Sequence, residues 1–263
     1  MEIVICSSTQ QVGDVAAARV AQVCRAAGPN AVLGVATGSS PLSCYTGLAE
    51  RVRSGSLDLS RASAFALDEY VGLPRGHEES YAEVIRRTVT EPLGLDPARV
   101  HTPDGFADDL EAACADYERR IAGAGGVDVQ ILGVGANGHI GFNEPSSSLS
   151  SRTRIKTLTD RTREDNRRFF AELDDVPRHC LTQGLGTIMD ARAVVLIAQG
   201  GGKARAIRNL VEGPITAMCP GSVLQFHRYA TVVIDDAAAA ELQHADYYRE
   251  TYAHKPSWQR FEN

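Results

Sequence analysis

Residues 132–158 read LGVGANGHIGFNEPSSSLSSRTRIKTL and place His139 five positions before Glu144, with Asn137 just upstream and four glycines in between and around them. Imidazole exchanges a proton near neutral pH. A carboxylate aimed at one ring nitrogen fixes the tautomer and leaves the other nitrogen to shuttle that proton. Gly133, Gly135, Gly138 and Gly141 permit tight turns and close approach of backbone to a ligand. Glu144 would equally serve to cap the turn before Pro145, so the acid/base reading rests on glycine spacing, His and Glu falling together.

Three other stretches carry compatible chemistry. In LDEYVGLP, residues 67–74, Asp68 and Glu69 stand where an apolar run ends, so at least one carboxylate is expected in a cleft, partly desolvated. Burial raises a carboxylate's pKa, which suits a base that takes a proton from carbon. The plainer alternative is that Asp68 caps a turn or pairs with an arginine. In ATGSSPL, residues 36–42, Thr37, Gly38, Ser39 and Ser40 precede a helix starting near Pro41. Unpaired N–H groups and the helix dipole there can hold a phosphate, although a simple Ser-capped helix start reads the same way. No Walker lysine follows and no G-x-G-x-x-G is read in the sequence, so nucleotide binding is unsupported. Lys203, behind three glycines, opens a further helix suited to an anion, and Arg168 lies in an RRFF segment that otherwise reads as a solvated helix face.

Short apolar runs that alternate with amphipathic segments must position these residues. Strands are expected at 2–6, 31–36, 62–67, 127–132, 193–198 and 229–234, and helices at 9–27, 42–53, 80–90, 108–121, 162–170 and 203–211. The last four strands lack polar alternation, as strands covered on both faces should. Repeated strand-helix units imply right-handed crossovers and a doubly wound, mostly parallel α/β sheet, modified Rossmann-like, whose ligands sit beyond the carboxyl ends of the strands. No long linker or repeat divides the chain, so residues 1–263 are expected to form one domain. Residues 158–185, charged and without a clear strand, suggest a mobile helical flap over those ends.

Bulk properties narrow the class. A net charge of −6 argues against a nucleic-acid partner, while a small anion needs only a few local cations. The opening MEIVICSSTQ has no basic leader and too short an apolar run for a signal peptide or membrane span, so no membrane partner and a cytoplasmic location are expected. Cysteines at 6, 24, 44, 114, 180 and 219 form no C-x-x-C and no zinc cluster, and read as small buried apolar residues in a reducing compartment.

TGSSP, LDEYVGL followed by HEESY, GHIGFNEP, SSRTRIKTLT, RRFF, LTQGLGTIMDA and GGGKA together resemble the glucosamine-6-phosphate deaminases, in register from about residue 2 to 235. The resemblance implies hydrolytic deamination and isomerisation of glucosamine 6-phosphate to fructose 6-phosphate and ammonia, in N-acetylglucosamine catabolism, with no metal and no organic cofactor. It implies Asp68 as the base moving a proton between C2 and C1, His139 opening the pyranose with Glu144 and Asn137 tuning it, and a phosphate held by Gly38, Ser39, Ser40, Arg168 and Lys203. Ser147, Arg154 and Lys156 match the family's regulatory site, where an N-acetylated sugar phosphate binds between subunits of a hexamer, so a homo-oligomer is expected. The alternation Arg154-Ile155-Lys156 would set both cations on one strand face, or else describe an edge strand kept soluble by charge. The chain departs from many relatives in Asn137, where they carry Asp, in Gly-Ser-Ser for Gly-Gly-Thr, and in the tail after residue 236. A phosphogluconolactonase shares the scaffold and a G-x-x-G-H loop but needs no C2 base. A sugar-phosphate-sensing regulator domain would be preceded by a helix-turn-helix, whereas this chain begins on a strand.

Overall fold

The computed structural model describes residues 1–261, without the side chains of residues 161, 165 and 168. Seven strands run parallel in the order β1 (Glu2–Cys6), β10 (Ala230–Asp235), β9 (Ala193–Ala198), β6 (Val129–Leu132), β2 (Val32–Val35), β3 (Ser63–Ala66) and β5 (Val100–His101). Alternate residues of the central strands feed opposite faces. Val194, Leu196 and Ala198 enter one core cluster, and Ala193, Val195 and Ile197 the other. The sheet is therefore doubly wound, as the unbroken apolar runs indicate.

One face is covered by α1 (Thr9–Ala27), α2 (Leu42–Arg53) and the short α3 (Tyr81–Ile85). The other is covered by α4 (Leu110–Gly123), α6 (Leu185–Met189), α7 (Ala204–Val211) and the 3-10 turns at Pro220–Phe226. The helix α1 begins where the Ser8 hydroxyl accepts from the Gln11 N–H and ends at Gly28, whose φ of 87° only glycine adopts readily. All six cysteines are buried and free, as their scattered apolar settings imply.

A second, three-stranded antiparallel sheet joins β4 (Asp68–Tyr70), β8 (His179–Thr182) and β7 (Arg154–Thr157), of which only β7 was foreshadowed in the sequence, by the alternation at 154–156. It corrects the expectation of no strand within 158–185, because β8 is its central strand. The helical part of that stretch is α5 (Asp160–Asn166) with 3-10 turns at Arg167–Phe169 and Leu173–Asp175. The chain crosses between sheets at Leu67, whose N–H bonds the Val35 carbonyl of the large sheet and whose carbonyl accepts from the Gln183 N–H beside the small one. One further expectation shifts. The 80–90 helix is α-helical only to Ile85 and continues as a π-helical turn over Arg86–Thr90. The tail forms α8 (Ala245–Ala253), packed on β1 and tied there by an ion pair between Lys255 and Glu2 at 2.5 Å.

Candidate active site

A cavity of about 440 Å³ opens beyond the carboxyl ends of β2, β3, β6 and β9, where strand order places ligands in such sheets. Its lining includes Thr37, Gly38, Ser39, Ser40, Asp68, His139 and Lys203, so residues from four separate loops meet in one hollow. A larger hollow of about 770 Å³ lies on the other side of Glu69 and Tyr70, and neither Asp68 nor His139 lines it. Among the described residues no group of three or more His, Cys, Asp or Glu side chains stands together as a metal site.

Asp68 sits at the crossing between the two sheets, opposite Thr182, and only 5% of its surface is exposed. Glu69 takes the capping role left open for this pair: its carboxylate accepts from the N–H groups of Tyr70, Tyr81 and Ala82 at 2.8, 2.9 and 2.8 Å, closing the start of α3. Asp68 thus neither caps a turn nor pairs with an arginine among the described residues. Burial, and next the charge of Glu69, push its pKa up to about 8.

His139 lines the cavity, while Glu144 and Asn137 stand behind it. The Glu144 Oε1 atom is 3.5 Å from His139 Nδ1, the Asn137 Nδ2 group donates to Glu144 Oε2 at 2.7 Å, and the Asn137 Oδ1 atom accepts from the His139 N–H at 3.2 Å. The Thr162 hydroxyl of α5 donates to Glu144 Oε1 at 2.5 Å. Burial raises the pKa of Glu144, but the charge of the facing His139, then the hydrogen bonds from Thr162 and Asn137, outweigh it and bring the value down to about 2. Glu144 is therefore an anion at neutral pH, facing the ring nitrogen that points away from the cavity. Gly135 is required beside it, since a Cβ there would fall 2.2 Å from His139 Cε1. The run Gly133-Val134-Gly135-Ala136-Asn137-Gly138 does have the dinucleotide glycine spacing, but the chain continues as a loop rather than a helix N-terminus, so no pyrophosphate cradle forms.

The anion end is built from two helix starts. Ahead of α2, Pro41 occupies the cap position with no side-chain cap hydrogen bond, so the Ser39 and Ser40 hydroxyls are not spent on capping. Gly38, with a φ of 90°, turns the loop toward the cavity. Lys203 stands at the cap position of α7, and the loop before it is held by the Asp235 carboxylate, which accepts from the Gly200 N–H at 3.0 and 2.9 Å. Both helix dipoles favour negative charge here. The side chain of Arg168 lies outside the described residues.

Ser147, Arg154 and Lys156 fall outside this cavity. On the edge strand β7, Arg154 and Lys156 are half-buried on one face while Ile155 is 44% exposed on the other, the reverse of a strand that charges merely keep soluble. Ser147 is 3% exposed and its hydroxyl has no hydrogen-bond partner among the described residues.

Sequence reasoning missed Thr162, Gln199, Tyr81 and Asp235. Thr162 and Asp235 each had a faint local signal: Thr162 follows a Thr159 cap by three positions, and Asp235 ends an apolar strand. Gln199 follows the apolar strand 193–198 and Tyr81 closes the HEESY stretch, and both line the cavity.

The sequence profile described as glucosamine-6-phosphate isomerases/6-phosphogluconolactonase matches residues 7–233. The chain is 61% identical over 259 residues to a glucosamine-6-phosphate deaminase of Pseudarthrobacter chlorophenolicus, covering 98% of this chain and 99% of that one. It is 64% identical over 252 residues to one of Cutibacterium acnes, covering 95% and 96%. Among solved structures, one described as a monomeric glucosamine-6-phosphate deaminase superposes with a TM-score of 0.88 at 38% identity, covering 92% of this chain and 100% of that one. A 6-phosphogluconolactonase from Trypanosoma cruzi superposes with a TM-score of 0.72 at 17% identity, covering 92% and 97%, a likeness of fold alone.

Proposed function

Because the chain belongs to the glucosamine-6-phosphate isomerase/6-phosphogluconolactonase family, we propose that it converts glucosamine 6-phosphate and water to fructose 6-phosphate and ammonia. The observation that carries the reading is the convergence of a desolvated carboxyl at Asp68, without a hydrogen-bond partner among the described residues, the His139–Glu144 pair and two helix starts on one cavity. A lactonase has no use for a base at C2, and a binding domain has no use for either proton-transfer group.

In this reading the phosphate rests on the 38–40 loop and Lys203, with Arg168 completing the set. His139, held by the Glu144 anion, moves the proton between O1 and O5 that opens the pyranose. Asp68 then takes the proton from C2, giving an enolamine, and returns it to C1. The resulting C2 imine adds water and releases ammonia, so one water is consumed and no electrons leave the sugar. Each proton-transfer group contributes on the order of 100- to 10,000-fold. Residues 160–176 act as a lid within a single domain. Arg163 supports this, since its buried guanidinium donates to the Val176 and Leu173 carbonyls at 3.1 and 2.8 Å and binds the segment into one unit.

The proposal extends to regulation and location. Ser147, Arg154 and Lys156 receive the phosphate of an N-acetylated sugar phosphate, which the half-buried cations and a Ser147 hydroxyl without a partner among the described residues support. The subunits associate into a homo-oligomer, a hexamer by the resemblance; Phe226 and Met218, 74% and 65% exposed, are the kind of apolar surface that association covers. A cytoplasmic location is supported by six free thiols. Among the described residues no helix is long and apolar enough to cross a membrane. Purified protein given glucosamine 6-phosphate, with and without N-acetylglucosamine 6-phosphate, tests the whole: ammonia equal to fructose 6-phosphate is expected, and its absence would overturn the reading.

A further inference from the structure

Glu144 has two oxygens and both are engaged. Oε2 accepts from Asn137, on the same loop, whereas Oε1 accepts from Thr162, 18 residues away on α5 and only 6% exposed. That same Oε1 is the atom facing His139 Nδ1 at 3.5 Å, too far for a normal hydrogen bond, and Nδ1 makes none among the described residues. The direction of the Thr162 hydrogen is fixed in turn. The Thr159 hydroxyl caps α5 by accepting from the Thr162 N–H and donates to the Thr162 hydroxyl at 3.0 Å, leaving the Thr162 hydrogen for Glu144. Thr162 also lines the cavity.

We infer that Thr162 is a positioning residue for ring opening: its hydroxyl sets the Glu144 carboxylate against His139 and makes that setting depend on α5 being docked over the cavity. The inference rests on the deaminase reading and adds to it a residue that acts through Glu144 rather than carrying the proton itself. With the hydroxyl gone, Oε1 has no hydrogen-bond donor among the described residues, the carboxylate is held through Oε2 alone, and it turns about its terminal torsion, which is broad and soft. The imidazole then loses its fixed partner during the step at O5. Removal of C2–H by Asp68 involves none of these atoms.

The test compares Thr162→Val and Thr162→Ser on glucosamine 6-phosphate and on its 5-deoxy analogue, which cannot close a pyranose. For Thr162→Val, kcat on glucosamine 6-phosphate should fall about tenfold, the scale of one hydrogen bond to a charged group. KM should change less than threefold and turnover of the 5-deoxy analogue should be kept, while Thr162→Ser recovers at least half of wild-type kcat. Equal losses on both substrates, an unchanged kcat in Thr162→Val, or no recovery in Thr162→Ser would each overturn the inference. Should Thr162→Val fail to fold, Thr162→Ser measured on the two substrates decides alone: any loss it shows must be confined to the cyclic one. Wild-type protein that releases no ammonia overturns the deaminase reading itself, and this inference with it.

Discussion

Replacing Asp68 by Asn should make the protein more stable and nearly inactive, with both effects arising from the same buried carboxyl. In the fold the pKa of Asp68 is raised from 3.8 to about 8. Between those values the folded chain binds a proton that the unfolded chain does not, so this group's contribution to stability is complete below pH 4 and is lost as pH rises through 8. Each tenfold change in proton affinity is worth about 1.4 kcal/mol, which gives a cost of roughly 4 kcal/mol at pH 7 and on the order of 5 to 6 above pH 8. Asparagine carries no such cost but buries an amide, which returns about 1 to 3 kcal/mol. A net gain of roughly 1 to 3 kcal/mol is therefore expected at pH 7. Urea denaturation of both proteins from pH 4 to pH 9 measures it. The stability difference should grow with pH from 5 to 8 and level off above, with Glu69 largely cancelling because it is present in both. Turnover should fall by 100- to 10,000-fold, roughly 3 to 5 kcal/mol of transition-state stabilisation, while sugar phosphate still binds. A difference that stays flat with pH would show that Asp68 is not held protonated, and near-normal turnover would remove it from the base role.

Lys203→Ala should raise KM for glucosamine 6-phosphate by about ten- to a hundredfold and change kcat less, because a phosphate contact acts before and during the reaction alike; an unchanged KM in steady-state kinetics argues against the contact. The free enzyme's kcat/KM should increase with pH on a limb near 8, where Asp68 ionises, and a profile flat from pH 6 to 9 would contradict that assignment. Arg163→Ala removes both carbonyl contacts that join α5 to the turns after it, so limited proteolysis within 160–176 should accelerate by about tenfold, while the core melting temperature moves little. Substituting Arg154 and Lys156 together by Ala should abolish the response to N-acetylglucosamine 6-phosphate, and a variant that still responds would place regulation elsewhere.

Much of this architecture was legible because its elements announce themselves locally. The strands at 2–6 and 193–198 are apolar runs bounded by turn residues, and α1 and α2 carry starts and stops in their own sequence, so their limits coincide with expectation. Of the small sheet only the alternation at 154–156 was legible as a strand; DEY and HCLT lack such a period, and each pairs with a partner far along the chain. The residues meeting in the cavity were legible from strand ends alone: once parallel strands are assumed, the loops after β2, β3, β6 and β9 must face one another. Which carboxylate of the 68–69 pair stays unpaired was not, because Glu69 finds its donors on α3, 12 and 13 residues on. Thr162 was beyond reach for the same reason, a contact made only by tertiary packing.

The most direct measurement is a crystal structure of the Asp68→Asn variant soaked with glucosamine 6-phosphate. The phosphate should lie on residues 38–40 and beside Lys203, with C2 next to the side chain at 68 and the ring oxygen or O1 within hydrogen-bond reach of His139. A sugar phosphate seated instead in the hollow behind Tyr70, or placed so that residues 68 and 139 do not both touch it, would contradict the account.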